Sequence, residues 1–83
     1  MELELEIFFH TDETADILEE TGEFPLHKCD VRLMTFYSID CVAPFVENEV
    51  EYAKVFSGSN SFISVLTYEE VKQKISEAKK RQQ

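Results

Sequence analysis

Four side chains in this 83-residue chain could bind a soft metal or act as nucleophiles: His10, His27, Cys29 and Cys41. Zinc takes thiolate and imidazole ligands in a tetrahedron, so a set of two cysteines and two histidines is chemically possible. The spacings fit no finger, ribbon or knuckle. His27-Lys28-Cys29 is a fragment at best, although alternation in a strand would put His27 and Cys29 on one face. The simpler reading makes the cysteines small buried apolar residues and leaves the histidines on loops. A Cys–His nucleophile would need a thiol pKa lowered by a nearby cation or helix start. Lys28 and Arg32 are the nearest bases in sequence, and nothing supplies an oxyanion site. Asp30 and Asp40 could work as acid and base only inside a formed cleft, which a chain this short seldom encloses. There is no phosphate-binding loop, dinucleotide fingerprint, zinc-protease motif or calcium loop. The expectation is a protein without enzymatic activity, catalytic residues, cofactor or metal.

The charge pattern says more. The formal net charge is −9, with 17 acidic and 8 basic residues. Nine carboxylates fall within residues 1–27, which contain no Lys or Arg, so the imbalance sits in the first third. A field of that sign repels phosphate backbones and anionic lipid, which argues against direct nucleic-acid or membrane binding and favours a basic partner. Solubility alone is the plain alternative. The basic strip Lys72, Lys74, Lys79, Lys80 and Arg81 lacks the stacking aromatics of a single-strand binder. Two cysteines are too few for a disulfide scaffold. The acidic, alternating first residues do not read as a secretory signal, and no apolar run is long enough to span a membrane. A cytoplasmic location is expected.

These groups must be positioned by one small core, with residues 1–80 as a single domain and 81–83 as a frayed tail. Leu3, Leu5, Ile7 and Phe9 alternate with Glu2, Glu4, Glu6 and Phe8, the period of a strand with one charged face. Residues 11–22 read as a short helix capped by Asp12 and stopped by Gly22, or as a long loop. Phe24-Pro25-Leu26 suggests an edge-strand fragment. Further strands are expected over 31–39, 42–46, 50–56 and 62–66, with turns at 47–49 and 57–60. Thr67-Tyr68-Glu69-Glu70 is a capping box, and Tyr68, Val71, Ile75 and Ala78 form the apolar stripe of a C-terminal helix. The fold class is therefore α+β: an antiparallel sheet of four to five strands with a C-terminal amphipathic helix and a possible short helix after strand one.

The segments Phe36–Pro44, Tyr52-Ala53-Lys54-Val55 with Ser57-Gly58, and Tyr68-Glu69-Glu70-Val71 resemble a recurrent small bacterial and phage pattern. In that pattern a three-strand meander feeds a short helix opening on an acidic pair and Val, and the small flagellar FlbD-like proteins are similar in this respect. The resemblance covers about residues 33–76. It implies a fold and transfers no functional residue.

One slim helix can cover one face of a sheet, yet apolar residues stand on both sides of the expected strands. Val50, Tyr52 and Phe56 oppose Ala53 and Val55, and Phe62 and Leu66 oppose Ile63 and Val65. A solvent-facing antiparallel sheet would show polar residues on its outer side. Either residues 11–22 fold over the second face or a second copy packs there. The leading reading is a small acidic interaction module that self-associates or binds another protein, through Phe8, Met34, Phe36 and Val55. The alternative is an acidic nucleic-acid mimic that occupies the basic groove of a DNA- or RNA-binding protein with Glu2, Glu4, Glu6, Asp12, Glu13 and Asp16.

Overall fold

A computed structural model describes residues 1–23 and 25–81. Strands β1 (Leu3–Phe9), β2 (Asp30–Phe36), β3 (Cys41–Glu47), β4 (Val50–Ser57) and β5 (Asn60–Ser64) form one sheet in the order β2-β1-β5-β4-β3. All four pairings are antiparallel. Helix α1 (Asp12–Thr21) follows β1, a 3-10 turn (Leu26–Lys28) precedes β2, and helix α2 (Tyr68–Arg81) closes the chain. The fold is α+β, with the short helix after strand one present.

Local chemistry sets the boundaries. Thr11, rather than Asp12, caps α1: its hydroxyl accepts from the Thr14 amide, while the Thr14 hydroxyl takes the Thr11 amide, and Gly22 ends the helix at φ +75°. Thr67 and Glu70 form the expected reciprocal box on α2, with Thr67 N donating to Glu70 Oε1 at 3.1 Å and Glu70 N to Thr67 Oγ1 at 3.3 Å. The fragment expected to be a strand at 24–26 is different: Leu26 lies in the 3-10 turn, and Phe24 lies outside the described residues. So do Gln82 and Gln83 of the expected frayed tail. β2 ends at Phe36 rather than continuing to residue 39, because residues 37–40 turn and dock on the β4–β5 hairpin. Ser57 Oγ donates to Ser38 O, Asp40 N to Phe56 O, and Gly58 N to Asp40 Oδ2, each at 2.8 Å.

Those four residues also dictate the shape of the sheet. Phe36 is level with Leu3 on β1, whereas Cys41 pairs with Phe56 and so lies level with the far end of β1. In a flat sheet the two edges would be about 19 Å apart sideways, with a further offset of roughly 23 Å along the strands. Five Cα steps reach at most about 18 Å. The sheet must therefore curl and stagger until the end of β2 nears the start of β3. The rings of Phe36 and Phe62, on strands separated by β1, accordingly meet edge to face with centroids 5.5 Å apart.

Curling makes one face an interior. Leu3, Leu5 and Ile7 of β1, Phe36 of β2, and Ala53 and Val55 of β4 line it, and α2 seals it with Val71 and Ala78. Met34, Val42, Phe62, Leu66 and Ile75 pack around this cluster. Ser64, also buried there, is satisfied by donating to Glu6 O at 2.8 Å and accepting from Leu66 N.

Candidate interaction surface

The register decides which residues share a face. Directly paired residues in an antiparallel sheet point the same way. Glu4, Glu6 and Phe8 therefore share the outer face with Val31, Leu33 and Thr35 of β2, Ile63 of β5, Val50, Tyr52, Lys54 and Phe56 of β4, and Cys41, Ala43 and Phe45 of β3. Sequence reasoning identified the two-sided apolar character correctly but assigned the cover incompletely. The chain covers part of the outer face itself, with the turn after α1: Leu26 is buried and, with His27, borders a hollow lined by Phe8, Val50 and Tyr52. Phe8 and Tyr52 stack edge to face beside it, 5.5 Å between centroids.

The four residues expected to meet a partner do not form one surface. Val55 is fully buried and Phe36 is 3% exposed, both in the interior sealed by α2, and Met34 is half-buried against that same cluster. Only Phe8 faces outward, half-buried. A contact surface built from Phe36 and Val55 is thus corrected, because register and helix packing place them in the core. The residues that sequence reasoning missed are Val31, Leu33 and Tyr37, exposed by 48%, 63% and 71%. Val31 and Leu33 lie on the outer side of β2, and Tyr37 just past its end. Together they are three of the five large exposed hydrophobic residues among those described. Their signal was present in the alternation Val31-Arg32-Leu33, but nothing local marks β2 as an edge.

As an edge strand, β2 has one side without a ladder partner among the described residues. Asp30, Val31, Arg32 and Leu33 are all exposed, so both faces of this half of the strand lie open. Arg32 Nη2 pairs with Asp30 Oδ2 at 3.3 Å, and its guanidinium stands 5.6 Å from the Phe9 ring centroid. The other edge, β3, carries Pro44 at its centre, which removes one donor and blunts pairing.

The chemistry-bearing residues gather only in part: His10 and Cys29 share Thr14 as a hydrogen-bond partner, and Cys41 lies on the opposite edge of the sheet. Cys29 precedes β2 on one edge and Cys41 opens β3 on the other, and both thiols are free. Burial raises the Cys29 thiol pKa above its ordinary value, with the Thr14 hydrogen bond opposing and the Asp30 charge adding to the rise. That is the wrong direction for a nucleophile. His10 Nδ1 lies 3.2 Å from Thr14 Oγ1, and His27 is exposed in the 3-10 turn. Among the described residues no three His, Cys, Asp or Glu side chains gather as a metal site would require. Asp30 holds Arg32 while Asp40 holds the Gly58 amide, so the two carboxylates have separate structural tasks. The nine carboxylates of the first third are all exposed, and none forms an ion pair among the described residues. No described helix is long and apolar enough to cross a membrane. Comparison with family models, curated proteins and solved structures found no match.

Proposed function

We propose that this chain is a small acidic protein-interaction module without chemistry of its own, and that it associates through the open side of β2. One observation carries the reading: Asp30–Leu33 is exposed on both faces of an edge strand that presents Val31 and Leu33 to solvent. Exposed, proline-free edges with apolar side chains are templates for another strand. Light scattering during gel filtration over a range of protein concentrations tests the reading, with mass expected to rise above that of one 9.7 kDa chain. A single-chain mass at every concentration, together with no partner retained by the immobilised protein, would refute it.

A second reading is favoured by the unpaired carboxylates. Glu4 and Glu6 alternate along β1 with Glu2 just before it, and Asp12, Glu13 and Asp16 follow on α1, all exposed. Such a track could occupy a basic nucleic-acid-binding groove as a phosphate mimic. Binding of that kind weakens steeply with salt. Affinity for a basic partner that is indifferent to ionic strength removes this reading.

A further inference from the structure

We infer that an aromatic-walled hollow on the outer sheet face binds a small monocarboxylate with one apolar ring, independently of any contact made by β2. Register builds this hollow. Ile63 of β5 pairs with Phe8 of β1 on one side and with Lys54 of β4 on the other, so these three side chains stand in a row. Ser61 and His10 lie two residues along their chains toward one end of the hollow, and Phe45 of β3 lies toward the other. Ile63 and Ser61 are shorter than the phenyl rings beside them, which leaves the middle of the face recessed. The space enclosed is about 430 Å³, within the range of small-molecule pockets. Ile63 at its floor is only 8% exposed, yet it stands outside the core cluster that α2 seals. The Phe8 wall is braced edge to face by Tyr52, so it is in place before any ligand arrives.

Charge decides the occupant. Three other hollows on the surface are each bordered by glutamate: Glu2, Glu4 and Glu77 where Leu33 meets α2, Glu23 and Glu47 beside the end of α1, and Glu47 again beside Leu26. No carboxylate borders this one, in a chain of 17 acidic and 8 basic residues. Lys54 is the one Lys or Arg among the outward-facing strand residues described, and it forms no ion pair among the described residues. Its Nζ lies 5.5 Å from the Phe56 ring centroid, and Phe56 pairs with Ser61. The ammonium therefore leans toward the end of the hollow that Ser61 and His10 border. One end is polar, with a cation and a hydroxyl, and the other is walled by Phe45 and Phe8. A carboxylate can accept from ammonium and hydroxyl together while its ring packs on the phenyl walls. A dianion would bring a second charge for which no second Lys or Arg borders the hollow. The site is open and holds one Lys, so a dissociation constant of roughly 0.1–1 mM is expected for a ligand of about eleven heavy atoms.

The test is an NMR chemical-shift titration of the full chain with 3-phenylpropanoate, its uncharged amide and the matching amine, at constant ionic strength. Shifts are expected at Phe8, Phe45 and Ile63. The acid should bind about three- to tenfold tighter than the amide, as one partly exposed charge-assisted hydrogen bond would give. Lys54→Met keeps the apolar stem and removes the ammonium, so it should bring acid and amide to equal affinity; its own spectrum reports whether it is folded. An amide or amine that binds the unmodified chain as tightly as the acid overturns the assignment. So does an acid preference that survives in Lys54→Met. Shifts centred on Leu33 and α2, or none at about 10 mM acid, tenfold the weakest expected constant, also overturn it. None of these outcomes concerns the mass of the chain in solution, so a failure here is distinct from a failure of the β2 contact.

Discussion

Replacing Val55 by Ala separates the sealed face from the open one. Val55 is fully buried on the inner side of β4, beneath α2. Removing two methyl groups forfeits about 1.6 kcal/mol of transfer free energy, at about 0.8 kcal/mol per buried carbon. A residual void of roughly 40 Å³ adds about 1 kcal/mol more, at ~24 cal/mol per Å³. The expected loss is about 2–3 kcal/mol. A chain of this length has roughly 4–12 kcal/mol of total stability at the usual per-residue values. Each kcal/mol moves Tm by about 4–8 °C in a domain this small, so a fall of about 10–20 °C should be seen. Leu33→Ala, at 63% exposure, should change the stability of the isolated chain by no more than about 0.5 kcal/mol. Urea and thermal unfolding followed by circular dichroism, at concentrations low enough to exclude association, measure both. Comparable losses for the two variants, or a Val55→Ala loss below 0.5 kcal/mol, would refute the assignment of faces on which the contact surface depends.

Three further outcomes are expected. The β3–β4 hairpin turns through Asn48 and Glu49, both at positive φ (51° and 66°), and Glu49 is the unusual occupant of a position that favours Gly. Glu49→Gly should raise stability by about 0.5–1 kcal/mol in urea unfolding, and a loss would show that the turn geometry is wrong. The Glu70 carboxyl is held below its ordinary pKa by the hydrogen bond from the Thr67 backbone amide, then by the Thr67 hydroxyl. A lowered pKa in the folded state means a contribution present above the unfolded value and lost as pH falls through the folded one. Glu70→Gln should therefore flatten the acid side of the stability–pH curve, and an unchanged curve would remove that contribution. Exposed Cys41 should react with a thiol reagent faster than Cys29, which is half-buried with its pKa raised by burial; the reverse order, read by mass spectrometry, would contradict the packing of the 3-10 turn.

Much of the fold was legible because local signals agreed with it. The Glu-Leu alternation of β1 became a strand with its leucines inward, and Thr67–Glu70 became a helix start with the expected bonds. Gly22 and the 57–60 hairpin turned where their residue types said they would, with Gly58 at φ +62°. Strand order was not legible. Nothing in Val31–Phe36 distinguishes an edge from a centre, and only the pairing of β1 with β5 makes β2 the edge. Phe36 and Val55 looked like outward anchors because a flat sheet has two equal faces. The short 37–40 connection removes that equivalence by curling the sheet, a consequence of register that composition cannot carry. Leu26, read as part of a strand, instead covers the outer face beside Phe8 and Tyr52. For the same reason the candidate surface shifted from Met34, Phe36 and Val55 to Val31, Leu33 and Tyr37.

The most direct test of β2 as the contact edge is amide hydrogen exchange compared at low and high protein concentration. In an antiparallel strand at an edge, alternate amides face the open side, and a second strand would protect them. Slower exchange confined to Asp30–Phe36 at high concentration, with β3 unchanged, is the expected result. Exchange in β2 that is independent of concentration, or protection gained along β3 instead, would contradict it.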